Sequence, residues 1–593
     1  MIRGWAILPL FLMLVLSVLL LDGLMPRFAT PQVARAGWGL VLVLAVAMAC
    51  LPPVSGPAGL PRVDALSLPF VLILSVAGLA SGERSPVLAG AALTAGVDHP
   101  VLFCIGAAGL LPLLHARGVV SRGMVAWGSA GAAVAAALLS GPGSGRLAVL
   151  PVPALAAAAA LMGVSLRPLA GGRHGGSGGV AHLAGVVVGL CLAARMLVVW
   201  PVVPVGAVWG GGVAVAGLVL ALVGGGRALG ARDAGRVLAD MLAGWGGLGL
   251  LLVGLVMTGR ADDLPLLALG AFRALMLLAG GVGMAFLAAI LTLERIAEAA
   301  GSLDLARAGG LAVLMPRASG LLALALAGLC ALPPSGGFAV AWLLVQSLLA
   351  LPRAEGLVGA MPPLATLAGV GLACGLLILA AVRLLSCLVL GRPRTPRAAG
   401  ASDPAPGRLA VPGACLAGSA WMVLVPGGWL WLTRRAGWEA AGLAGPVPSG
   451  ALPDWLALAA PGGSGMLYPL GVAALLALAG GLVWALSRLA GTVPSRPVAA
   501  WNEGAPPSPP WMPFGEPTAQ TGPAQFAGML PWGAPAGYSA RRGLRRIVRL
   551  LRYAARRAAW LVEAGVAGVS RHAMGLVLLW LAVAALARMW GRS

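Results

Sequence analysis

The stretch WAILPLFLMLVLSVLLL, residues 5–21, runs seventeen residues without a charge and sets the class of fold. A run of that length matches the hydrocarbon layer of a bilayer, which takes about 17–25 helical residues to cross. Working outward, further apolar runs follow at Trp38 to Leu51 and Leu66 to Leu79, then over 86–96, 101–115, 124–140, 147–166, 180–200, 205–224, 237–257, 264–281, 283–297, 318–332, 338–351, 363–390, 409–432, 466–487 and 573–590. Sixty per cent of the residues are hydrophobic and only 10% charged, too little charge for a soluble surface. The sequence therefore predicts an all-α fold, a polytopic transmembrane helix bundle of roughly 14–17 spans with discontinuous helices.

A retained first helix is favoured over a secretory signal behind Arg3, because the run exceeds a signal's usual core of about 7–15 residues and more spans follow. The formal charge is +22, and all forty basic residues are arginine. Many fall in loops or at helix ends, which suits positive-inside orientation and anionic lipid headgroups better than nucleic acid. Seven cysteines lie almost entirely in apolar runs without CxxC spacing, and read as small core residues. A Pro-rich stretch from Val493 to Ala536 reads as an extramembrane loop. Beyond it Arg541, Arg542, Arg545, Arg546, Arg549, Arg552, Arg556 and Arg557 recur at helical spacing, with Leu544, Ile547, Val548, Leu551 and Ala554 mostly between them. Two readings stay open, an interfacial helix on anionic lipid or a partner, and a positive-inside signal for the final span; both place it on the cytoplasmic side.

Ionisable residues inside apolar spans are costly, so each is a candidate site. They are Arg195, Asp240, Arg273, Glu294, Arg295, Glu298 and Arg383, with His182 as a further proton-transfer group. Glu294 and Glu298 share a helical face. They read as a proton relay or, with more weight, as a helix end reaching the headgroups. Arg383 stands in mid-run and stays charged, so it can hold a barrier or a salt bridge but carries protons poorly. Candidates for an ion path are thus Arg383, His182, Asp240, Glu294 and Glu298. No Walker loop, HExxH motif, Ser/His/Asp set, haem or iron–sulfur spacing, or dinucleotide fingerprint is present, so no catalytic residues, cofactor or metal are expected.

The stretch GSLDLARAGGLAVLMPRASGLLALALAGLCALPPSGGFAVAWLLVQSLL, residues 301–349, resembles the antiporter-like membrane subunits of complex I (NADH-quinone oxidoreductase) and Mrp antiporters, most of all hydrogenase-4 component B. Gly309, Gly310, Leu311, Met315 and Pro316 match the family's GGLxxxMP segment; Ala331, Leu332, Pro333, Pro334, Gly337, Phe338 and Trp342 match its ALPPxxGFxxEW. Pro333, Pro334, Gly336 and Gly337 are expected to break a helix, as broken helices along an ion path require. AAVRLLSCLVLGRPR at 380–394 is similar to FVKxFGxxFLGRPR, which places Arg383 where the family carries lysine, and ARDAGRVLAD at 231–240 resembles QRDLKRLLAY. The final loop, with Trp501 and Gly504, and the last helix also look like that branch.

The resemblance implies N-terminal spans over 1–140, an antiporter-like core over 141–395, C-terminal spans over 396–490, a loop over 491–540, and a basic helix plus last span over 541–593. It also implies a glutamate near Cys104 to Gly109 and lysines near Gly189, Gly235 and Phe286, with Ala341 replacing the glutamate of the EW pair. Without lysine anywhere, and with no acid near 104–109, most of that relay is missing. The expected function is a membrane subunit of a complex I-like or hydrogenase-4-like respiratory assembly in the bacterial inner membrane. It would contact other membrane subunits and anionic lipid, not nucleic acid. It would be structural or weakly conducting, and at most a non-catalytic part of an NADH-quinone oxidoreductase or hydrogenase. The alternative is a proton or cation transporter with a rebuilt path; a polytopic enzyme on a lipid-linked substrate is a weaker third reading, since the longest loop offers only Glu503 and Glu516.

Overall fold

The computed structural model describes residues 12–20 in part, 31–50, 66–81, 85–97, 99–140, 149–163, 177–200, 206–349, 351, 357–443, 455–460 and 465–489. The chain forms two units, Met1–Pro523 and Ala524–Ser593, and every described residue belongs to the first. Most of the first apolar run, the loop from Val493, the arginine-rich helix and the last span fall outside the described residues.

Helices dominate. In chain order they are α1 (Pro31–Cys50), α2 (Ser67–Ser81), α3 (Pro86–Gly96), α4 (Pro100–Ala116), α5 (Arg122–Ser140), α6 (Pro151–Leu161), α7 (Ser177–Ala194), α8 (Ala207–Gly230), α9 (Ala234–Ala261), α10 (Pro265–Leu277), α11 (Gly283–Ala300), α12 (Pro316–Leu329), α13 (Gly336–Leu349), α14 (Leu357–Leu388), α15 (Pro406–Leu424), α16 (Pro426–Ala440) and α17 (Pro469–Leu489). Leu458–Ala459 (β1) and Met466–Leu467 (β2) form a short antiparallel pair. Proline opens many of the helices, at Pro86, Pro100, Pro151, Pro265, Pro316, Pro406 and Pro426, where its missing N–H costs no helical bond. Gly301, at φ 74°, closes α11. Among the described residues eight helices are long and apolar enough to cross a membrane, and seven more are apolar helices of 10–17 residues. The chain is a multi-pass membrane protein with an all-α bundle fold.

The tightest pair is α8 against α9. Gly210, Gly217 and Gly224 recur every seven residues along α8 and lie directly on the α9 backbone. A Cβ on Gly217 would sit 2.4 Å from Leu251 N, and one on Gly224 would sit 2.6 Å from Gly244 N. From the other side, a Cβ on Gly254 would sit 2.5 Å from Ala214 N. Lipid tails are as apolar as leucine, so helices in a bilayer gain little from hiding apolar side chains; they gain from close van der Waals approach, which these glycines permit.

The two runs read separately at 264–281 and 283–297 are one element in the structure. α10 and α11 join through a five-residue π turn, Leu278–Val282, to give a 36-residue helix from Pro265 to Ala300 whose apolar window is wholly buried. A π turn leaves carbonyls outside the i→i−4 ladder. Two are taken up by neighbours: Trp429 Nε1 donates to Met276 O at 2.8 Å and Ser419 Oγ donates to Gly281 O at 2.6 Å. The run read as one span at 409–432 is likewise divided, α15 ending at Leu424 and α16 starting at Pro426.

Candidate functional site

Two places in the bundle concentrate the features that the sequence singles out. The first is a meeting of helix breaks. α12 stops at Leu329 and α13 starts at Gly336; Pro333 and Pro334 lie in the turn between, and Gly336 and Gly337 open α13. Ser335 Oγ donates to Cys330 O and accepts from Phe338 N at 3.1 Å, which caps α13. A Cβ on Gly336 would lie 3.3 Å from Val423 Cγ2 and 3.5 Å from Gly281 C, so the α12–α13 turn, the π turn and the α15–α16 break are in mutual contact. The groups meeting the loosened backbone there are Ser335, Ser419 and Trp429, all neutral.

The second place is a polar cap at one end of the bundle. Asp233 accepts from Arg236 N at 3.2 Å and caps α9. Beside it Ala234 N donates to Leu303 O at 2.9 Å and Leu305 N to Arg232 O at 2.9 Å. The loop after α14 closes over the same segment: Gly310 N donates to Leu390 O at 2.9 Å, Ala312 N to Val389 O at 2.8 Å, and Arg394 Nη1 to Leu305 O at 2.7 Å. Burial lowers the pKa of the Arg394 guanidinium from its ordinary value. Asp403 accepts from Arg317 N at 2.9 Å and Ala318 N at 3.1 Å, so it caps α12. The segments 231–240, 301–316 and 389–394, quoted above for their resemblance to one family, thus form one structure.

Arg383 is buried on α14. It donates from Nη1 to Ala228 O at 3.2 Å and from Nη2 to Ala231 O at 2.7 Å. Those carbonyls end α8, where a helix has unbonded acceptors and the negative end of its dipole. One turn away Asp240 pairs with Arg227 at 2.9 Å, tying α9 to α8. Glu298 is exposed at the end of α11, 2.8 Å from Arg295 and 2.5 Å from Arg408 of α15. Glu294 is half-buried one turn earlier. His182 Nε2 lies 3.0 Å from Met162 O, just past the end of α6.

His182 is five residues into α7 and Asp240 six into α9; Glu294 and Glu298 are six and two from the end of α11, and Arg383 five from the end of α14. At 1.5 Å per residue all five stand within roughly 9 Å of an end of their own helix; the ends nearest Asp240, Glu294, Glu298 and Arg383 bound the cap, whereas α7, which carries His182, starts beside Ile290, ten residues inside the end of α11. The far half carries Arg195 and Arg260. Arg260 donates to Val198 O. Arg195 is fully buried in the π turn after α7, donates to Ser67 Oγ at the start of α2, and has its guanidinium 5.6 Å from the Phe103 ring and 5.3 Å from the Trp200 ring. That aromatic setting could not be found from the sequence, since its members lie on three separate segments. Arg273 is half-buried on α10. Among the described residues no group of three or more His, Cys, Asp or Glu could hold a metal ion.

A chain of the membrane-bound sulfane sulfur reductase, an archaeal respiratory membrane complex, superposes with a TM-score of 0.64 at 15% identity, over 92% of this chain and 99% of that one. A chain of respiratory complex I from Thermus thermophilus with bound NADH matches with 0.56 at 17% identity, over 75% and 100%. A chain of the Mrp complex from Dietzia sp. DQ12-45-1b matches with 0.56 at 17% identity, over 98% and 63%. The chain shares its fold with these chains of membrane complexes. No family model and no curated protein matches its sequence. Gly189, near which the resemblance places the first lysine, is at a helix crossing: a Cβ there would lie 2.8 Å from Met162 Cγ and 3.0 Å from Ala158 O. Phe286 and Cys104 are buried, Ala341 is half-buried, and Gly235 lies at the start of α9.

Proposed function

We propose that the protein is a membrane subunit of a complex I-like or hydrogenase-4-like respiratory oxidoreductase assembly in a bacterial inner membrane, and that its role is structural or weakly conducting. The fold shared with chains of respiratory and Mrp complexes supports the first part. One observation carries the second: Asp240, Glu294, Glu298 and Arg383 stand near helix ends that bound the cap and His182 on a separate helix, while the contact between helix breaks is lined by Ser335, Ser419 and Trp429. Protons cross a bundle by stepping between exchangeable groups or ordered waters, and the five candidates do not span it. Close packing at Gly189 adds to this reading, because a relay needs room for a long amine.

The test is reconstitution of the full chain in proteoliposomes under an imposed pH gradient. Proton entry should stay at the level of protein-free vesicles, and the protein should co-purify from its native membrane with other membrane subunits and a soluble redox arm. Flux abolished by Asp240→Asn or Glu298→Gln would instead favour the transporter with a rebuilt path.

A further inference from the structure

The cap has two faces of different character. Inward, Leu305, Ala308, Leu311 and Met315 are buried, and Arg394 lies under the 301–316 loop with its guanidinium on Leu305 O. Outward, Arg307 is 73% exposed and Val313 is 83% exposed, and Arg232, Arg317, Arg392 and Arg397 on the segments that make the cap are exposed as well. Residues 231–236, 301–317 and 391–408 together hold eight arginines against three aspartates. All three aspartates turn a carboxylate oxygen onto backbone N–H groups: Asp233 onto Arg236, Asp304 onto Ala306, and Asp403 onto Arg317 and Ala318. Arg307 also lies 3.8 Å from Asp304 and Arg408 pairs with Glu298 of α11, and eight arginines against these four acids leave the outward potential positive.

The direction of this face separates a protein partner from a lipid surface. The cap is bounded by the ends of α8, α11 and α14 and the starts of α9, α12 and α15, so it closes the bundle end-on and its outer side points along the helix axes, away from the bilayer. Headgroups reach its rim and not its centre. An exposed apolar side chain on a surface rich in exposed arginine is instead the composition of a protein interface, where arginine is enriched and a small apolar centre is shielded by a polar margin. Charge complementarity selects an acidic occupant.

We propose that this outer face, centred on Val313, is the docking surface for a water-soluble partner subunit that presents acidic side chains. It rests on the assembly reading above and names the surface that assembly would use. The test is photo-crosslinking from Val313 of the full chain in native membranes, followed by purification of the assembly and sequencing of the crosslinked peptide. The expected product is an acidic segment of a soluble subunit. Arg307→Glu with Arg317→Glu should lower that product at least tenfold and release the soluble subunit, leaving the membrane subunits in place, whereas Arg307→Lys with Arg317→Lys should retain it. Crosslinks to lipid only, to a membrane subunit, or to nothing while membrane subunits still co-purify overturn the docking surface and leave the assembly reading standing. A double glutamate variant that crosslinks like the parent overturns it as well. Absence of any co-purifying subunit overturns the assembly reading itself.

Discussion

The polar cap and the meeting of helix breaks lie in the same bundle and handle backbone irregularity in opposite ways. In the cap, loose backbone groups are met by Asp233, Asp304 and Asp403, charged and open to water, and by the buried guanidinium of Arg394. At the breaks they are met by one indole and two hydroxyls. The difference follows from solvent: a charge is cheap where water reaches it and costly where hydrocarbon and packed helices exclude it. A conducting subunit would carry that cost for the sake of transfer. Where the α12–α13 turn, the π turn at Leu278–Val282 and the α15–α16 break meet, the irregular backbone is closed with neutral groups.

The largest effect that could break this contrast is an attempt to install an amine in the deep region. Gly189→Lys pushes a side chain onto Met162 Cγ and the Ala158 carbonyl, and should destabilise the fold by about 3 kcal/mol or more through overpacking and a buried charge. It should yield little folded protein in detergent and no proton flux. A folded, conducting Gly189→Lys protein would show that the centre is ready for a relay and that the contrast is false.

Next in size is Arg383→Met, which keeps the apolar stem but leaves the Ala228 and Ala231 carbonyls without their donors. At about 1–3 kcal/mol for each of the two stranded carbonyls, thermal unfolding in detergent should show a loss of roughly 2–6 kcal/mol. Arg383→Lys should recover part of it, because an ammonium reaches fewer acceptors than a guanidinium fork. If Arg383→Met instead keeps full stability but alters ion flux, the residue belongs to a path and not to the end of α8.

Smaller again are Ser419→Ala and Trp429→Phe, each freeing one carbonyl beside the π turn at a cost of about 1–2 kcal/mol. Their effects should exceed additivity when combined, since both hold the same turn. A double-mutant cycle on unfolding midpoints checks this. Smallest is Glu298→Gln. Its carboxylate is exposed between Arg295 and Arg408, and exposed pairs contribute about 0–1 kcal/mol, so the midpoint should barely move and should lose its salt dependence at that site.

Much of the fold was legible in the sequence because a bilayer asks for one simple thing, an uncharged run of sufficient length, and most runs read as spans are helices in the structure. The α12–α13 interruption was readable for a similar reason: Pro333, Pro334, Gly336 and Gly337 are local and strong. The π turn was not, since Gly280 and Gly281 look like ordinary small residues and the carbonyls it frees find their donors on helices about 140–150 positions later in the chain. Arg383 could be singled out as a charge in mid-run, but its place at the end of α8 depends on carbonyls more than 150 positions earlier. Partners 92 and 128 positions earlier, Phe103 and Ser67, likewise hid the setting of Arg195. Local pattern reveals what a segment is, and long-range partners decide what its odd residue does.

An α-helix advances about 100° per residue, so a single added residue inside a continuous helix turns everything beyond it by that angle. The π turn at Leu278–Val282 is such an addition, and it sets the azimuth of α11 independently of α10. Because of it, one rod can show Met276 to Trp429 and Gly281 to Ser419 and still present Glu298 to Arg408 at its tip. The rod acts as a phase shifter, serving two sets of neighbours whose orientations an unbroken helix could not satisfy together.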